Sequence, residues 1–214
     1  MKFTKQDLKD LKFNQVLTQN DKMRKTSKEN NIRLYNFGIT ALKSLTTNKS
    51  TCPFAGECAK FCYAQKGSFV WTNTKKAYEK RYLLTKEPVL FKSKLTEAIK
   101  RRKASHIRIH DSGDFYNLNY INQWIEIIND FQKVTFYAYT KSKVLFDKFE
   151  NLPKNLILIY SLGSKKDDLI NQSKERHAKI FLDEKELIKS GYVNASKNDL
   201  LAIGQNKNIG LLIH

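Results

Sequence analysis

Two hydrophobic periods run along the chain, and the switches between them mark its elements. Within the polar first 30 residues, Leu8, Leu11, Phe13, Val16 and Leu17 recur at near-helical spacing. They predict an amphipathic helix or adaptable arm over residues 1–30, ahead of a single domain over 31–214. Ile32–Ile39 (IRLYNFGI) is rich in β-branched and aromatic residues and reads as a strand. Helices are expected over about Thr72–Thr85 and Pro88–Lys103, the second with proline in its first turn.

Beyond residue 104 the pattern becomes regular. His106–His110, Val134–Tyr139, Leu156–Tyr160 and Ala178–Leu182 read as strands, the third (LILIY) too apolar to face water. Leu118–Phe131 carries Ile121, Trp124, Ile125 and Ile128 as a helical stripe. Shorter helices are expected over Val144–Leu152, Asp167–Gln172 and Glu184–Ser190, and Asn198–His214 has no clear period. Alternating strands and helices predict an α/β fold: a parallel sheet with covering helices, an open sheet or a partial β/α barrel. Either places chemistry at the C-terminal ends of the strands.

The 214 residues, 41 % hydrophobic, suit one packed domain. No apolar run approaches the roughly 20 residues of a membrane span. The start, MKFTKQDLKDLKF, is broken by charge and does not read as a secretory signal. A cytoplasmic protein is expected, or one intracellular in a host. The net charge of +18 favours polyanions, although a Lys-, Asn- and Ile-rich composition also follows from AT-rich codons. Lys75–Lys103 concentrates 11 basic against 3 acidic residues. Lys75, Lys76, Arg81, Arg101 and Arg102 are the candidate nucleic-acid contacts. Tyr78, Tyr82 and Phe91 between them suit either base stacking or a core.

All three cysteines fall in one turn-rich loop, 46–67, as Cys52-x5-Cys58-x3-Cys62. An odd count without a secretory signal argues against a disulfide framework. Thiolates clustered this way suit zinc or an iron–sulfur cluster, both soft enough to prefer sulfur. Zinc needs a fourth ligand, with His106, His110 and His177 as candidates. An iron–sulfur cluster can leave one iron open to a ligand.

Further chemistry gathers after the strands. His110, Asp111 and Asp114 in HDSGD are candidates for acid–base work, with Ser112 and Gly113 lining the same turn. The acidic turn also suits a cationic ligand, and Asp114 competes as a helix cap. Thr140 and Lys141 follow VTFYAY, and Ser161, Gly163 and Ser164 follow LILIY on the same side. No P-loop, G-x-G-x-x-G, H-E-x-x-H or G-x-S-x-G is present, so those hydrolase and dehydrogenase chemistries have no support.

CAKFCYA, with Phe61 before the last cysteine and Tyr63-Ala64 after it, resembles the cluster loop of radical S-adenosylmethionine enzymes of the spore photoproduct lyase branch. Their usual spacing, C-x3-C-x2-C, is narrower. TCPFAGECAKFCYAQKG, IRIHDSGDFYN and FYAYTKS in this order resemble the gene product 88 family of bacteriophage and mobile-element proteins, from about Asn36 to Ser164. The resemblance implies a partial barrel whose first strand feeds the cysteine loop. It implies a [4Fe–4S] cluster on Cys52, Cys58 and Cys62, with S-adenosylmethionine on the open iron. Phe61, Tyr63, Ser112, Gly113, Thr140 and Lys141 would stand beside the cofactor. The expectation is a radical S-adenosylmethionine-like protein acting on nucleic acid. The alternative is a zinc-stabilised nucleic-acid-binding module without catalysis.

Overall fold

Parallel neighbours need long crossovers, and the alternating segments supply them. A computed structural model describes residues 2–213. Its strands are β1 (Leu34–Phe37), β2 (His106–Ile109), β3 (Thr135–Thr140), β4 (Leu156–Ser161), β5 (His177–Phe181), β6 (Val193–Asn194) and β7 (Asn208–Leu212). They form one sheet in the order β1-β2-β3-β4-β5-β7-β6. Every pairing is parallel. The first five strands follow one another in space as in sequence, and the sheet curls into a half-barrel.

Three short helices precede β1, where the sequence predicts one helix or an arm: α1 (Lys5–Lys9), α2 (Phe13–Val16) and α3 (Asp21–Glu29). Capping divides them: Thr4 accepts from the Asp7 N–H, and Asn20 from the Met23 N–H. The segment is integral to the domain, because Leu8, Leu11, Val16 and Leu17 are buried in the main core. The remaining helices are α4 (Thr72–Leu84), α5 (Pro88–Arg102), α6 (Leu118–Asp130), α7 (Lys143–Phe146), α8 (Glu184–Lys189) and α9 (Leu200–Ile203).

Strand parity sorts the side chains into two layers. Phe37, Ile107, Ile109, Phe136 and Ala138 point outward, into a core with Tyr82, Phe91, Tyr120 and Trp124 from α4, α5 and α6. Leu34, Tyr137, Ile159, Ala178 and Ile209 point inward, against Met23 of α3, Ala195 and Ala202 of α9. The expected cover over β4 is thinner than its sequence suggests. Leu156 and Leu158 of the outer layer are only half-buried, because the crossover helix α7 is a single turn, and Ile157 of the inner layer is half-buried as well. The patternless C-terminus folds into α9 and β7, with β6 inserted at the sheet edge.

Trp124 is the largest fully buried side chain and contacts the rings of Phe37, Phe91 and Phe136. Trp124→Ala is expected to cost about 3–5 kcal/mol. Urea unfolding should show a lower midpoint at unchanged slope.

Candidate functional site

The segment between β1 and α4 crosses the mouth of the half-barrel, along the C-terminal ends of the strands. It pairs with the turn after β4: Ala55 bridges Ser164, the Gly56 N–H donates to the Gly163 carbonyl (3.2 Å) and the Lys165 N–H to the Phe54 carbonyl (3.0 Å). A side chain on Gly56 would meet the Gly163 and Ser164 backbone within 3.0 Å, so glycine permits the approach. The β4 turn is itself held by Asp167, which accepts from the Gly163 and Ser164 N–H groups. The Asp114 N–H donates to the Thr51 carbonyl, tying the loop to the turn after β2.

Glu79 on α4 anchors the start of the same loop. Its buried carboxylate accepts from the Thr40, Ser44 and Thr46 hydroxyls and from the Leu45 and Thr46 N–H groups. Burial alone would push this carboxyl up. The hydrogen bonds from Ser44, Thr46, Leu45 and Thr40 outweigh it and hold the group below its ordinary range. No motif in the sequence pointed to Glu79, although a lone acid within a basic helix is the available signal.

All three cysteines are free and partly buried. Burial, with the Asp114 charge next, pushes the Cys52 thiol up to about 12, and burial also raises Cys62. Cys62 lies within electrostatic reach of Cys52, and Cys58 within that of Cys62. In number and softness they fit a thiolate-bound metal or cluster. They are not drawn together: among the described residues no three of Cys, His, Asp and Glu are arranged to hold a metal ion. None of the described histidines stands with the cysteines in a metal-holding group. His106 hydrogen-bonds Ser105 at the start of β2, and His177 bonds Tyr192 and the Glu175 carbonyl at the start of β5.

The predicted turn after β2 divides between two roles. Asp114 is a clasp: it accepts from the Thr140 hydroxyl (2.7 Å) and the Lys141 N–H (2.8 Å), locking that turn onto the end of β3. Burial raises its carboxyl despite these bonds. It does not cap α6, because Asn117 does so by accepting from the Tyr120 N–H. Gly113 has φ +79°, and a Cβ there would strike Ile39. The Ser112 carbonyl accepts from the Ile39 N–H. Asp111 accepts from the Tyr78 hydroxyl with Oδ2, while Oδ1 is buried without a partner. His110 departs from this group. Its φ of 66° turns the ring outward, where Nε2 meets the Tyr120 hydroxyl and Phe115 packs on the ring. Burial pushes it down to about 3, so it stays neutral in the outer core rather than serving the mouth.

Phe61 and Tyr63 flank Cys62 and are exposed. Tyr63, Phe69 and Tyr78 form a chain of ring contacts from the cysteine loop to Asp111. The Tyr63 hydroxyl is within electrostatic reach of Arg108, Asp111 and Cys62. Arg108 belongs to the inner layer and was absent from the candidates, as strand parity alone does not say which face of HIRIH is the concave one.

The basic helices divide differently from their sequence. Lys75, Lys76 and Arg101 are exposed. Arg102 is half-buried over the Phe13 and Tyr35 rings. Arg81 is buried and donates to the Gly38 and Gln15 carbonyls, a structural role that removes it from any nucleic-acid surface. Tyr82 and Phe91 are core residues, and Tyr78 serves Asp111.

The fold and mouth thus define a parallel α/β half-barrel crossed by a three-cysteine loop. The Gene product 88 family matches over residues 11–213, and the chain belongs to that family. It is similar to the Gene 88 protein of Mycobacterium phage D29, 34 % identical over 106 residues, covering 42 % of each chain. It is also similar to the Gene 88 protein of Mycobacterium phage L5, 36 % identical over 106 residues, covering 42 % of this chain and 43 % of that one. The chain therefore spans less than half the length of these two relatives. No solved structure matches it. Among the described residues, no helix is long and apolar enough to cross a membrane.

Glu79→Gln is expected to cost about 1–3 kcal/mol, since charged acceptors of several buried donors are lost. The folded carboxyl lies below its ordinary 4.5, so this contribution is fully present above 4.5 and fades as pH falls below it. Urea midpoints of the two proteins should differ at neutral pH and converge in acid.

Proposed function

We propose that the protein is an iron–sulfur protein of radical S-adenosylmethionine type, which holds its ligand in the mouth of the half-barrel. The observation that carries this reading is the position of the cysteine loop. All three thiols sit on the one segment that links the end of β1 to the turn after β4, beside the buried polar groups of the mouth. Cys52, Cys58 and Cys62 would hold the cluster. Such a cluster supplies one electron to a ligand at its open iron.

The chain's own groups bind and orient. The unpartnered Asp111 oxygen offers a negative site to a sulfonium or amine, and the Tyr78 hydroxyl holds its other oxygen in place. Asp114, Thr140 and the Lys141 backbone keep the turn after β2 in place. Phe61 and Tyr63 can shield a bound ligand from water. Nucleic acid as the substrate rests on exposed Lys75, Lys76 and Arg101.

Anaerobically purified protein should contain about four irons and four sulfides per chain and be brown. Cys62→Ala should lose them. One zinc without sulfide would replace this reading with the zinc-stabilised module, and metal-free, colourless protein would end both.

A further inference from the structure

The inner layer of the sheet carries a row of polar side chains in register. Asn36 of β1 pairs with Arg108 of β2, and Arg108 with Tyr137 of β3. Parallel partners share a face, so the three stand side by side on the concave surface, with Tyr139 two residues further along β3. Arg108 lies over the Tyr139 ring, 4.8 Å from its centre. Its side chain is 15 % exposed.

Charge in this row does not balance. The one carboxylate paired with Arg108 among the described residues is Asp199, 1 % exposed and 3.6 Å away. Asp199 also forms an ion pair with Lys22 and accepts from the Tyr137 hydroxyl at 2.8 Å. Two cations thus share one carboxylate, leaving one positive charge. Hydrogen-bond capacity is unspent as well. Arg108 Nε, Asn36 Nδ2 and the Tyr139 hydroxyl are all buried without a partner. Asn36 is 1 % exposed, and its Oδ1 is held by the Thr18 hydroxyl, which fixes the amide. Buried donors left unpaired are costly, and a buried guanidinium more so.

We propose that Asn36, Arg108 and Tyr139 form an oxyanion-recognition site on the concave face of the half-barrel, for a small molecule bearing a carboxylate or phosphate group. An oxyanion supplies what the row lacks: a negative charge, and acceptors for donors left free. The guanidinium fork matches either group. The donors are buried beside the inner core, so the anion they suit is a small molecule and not a duplex. The proposal rests on the reading of the mouth as a ligand site but not on the cysteines holding a cluster.

The test is calorimetric titration of the full chain with inorganic phosphate and, separately, acetate, at constant ionic strength. Saturable one-site binding of either is expected, and the ion preferred identifies the group. Tyr139→Phe removes only an unpartnered hydroxyl. It should keep the unfolding midpoint and weaken binding about three- to tenfold. Arg108→Met should weaken it by about tenfold or more. Should Arg108→Met not fold, Tyr139→Phe decides alone. Absence of saturable binding, or equal binding by Tyr139→Phe, overturns the proposal. The same titration on Cys62→Ala separates the two readings. Retained anion binding without metal in the wild type removes the cluster alone, whereas a cluster without anion binding removes this site alone.

Discussion

Register between parallel strands is the constraint on which the molecule depends. Asn36, Arg108 and Tyr137 share one layer, and Phe37, Ile109 and Ala138 share the next. A slip of one residue in β2 would carry Arg108 into the aromatic core and Ile109 into the concavity. The outer layer prevents this, because Phe37, Ile107, Ile109 and Phe136 fill one continuous core with α4, α5 and α6. Apolar packing on one face thereby holds charge on the other.

The second requirement is a fixed loop at the mouth. A segment without regular strands has few backbone partners of its own, so its position is set by attachments at separated points. Glu79 holds its start, the Asp114 N–H its middle and the Gly163 carbonyl its far side. Each attachment point lies on a different crossover of the sheet. The loop geometry is thus a property of the assembled half-barrel more than of the loop sequence.

The sequence made the β–α alternation legible because β2 and α6 carry clean periods of two and 3.6, and β3 is a run of aromatic and β-branched residues. It also placed the cysteine loop, the turn after β2 and Thr140 on a common edge, since parallel order leaves no other place for them. Less could be read where tertiary contacts decide. Arg81 looks like any other cation of a basic helix, yet it is buried against two carbonyls. His110 sits one residue from Asp111 but faces the opposite side, because its left-handed backbone breaks the alternation. Asp199 has no local signal at all, since its partners Lys22, Arg108 and Tyr137 come from three distant segments.

That last arrangement has a bearing on folding time. Lys22 belongs to the third helix and Asp199 to the residue before the ninth, so the ion pair closes nearly the whole chain. Contacts of such separation form late, after local helices and neighbouring strands have cut the entropy of closing the loop. During synthesis the buried residues of the outer core, which end at Phe146, can condense once β3 and α7 have emerged. Arg108 then waits, without its carboxylate, until residue 199 leaves the ribosome. The concave face is in this sense the last part of the molecule to mature, and a nascent chain carries its core well before it carries its site.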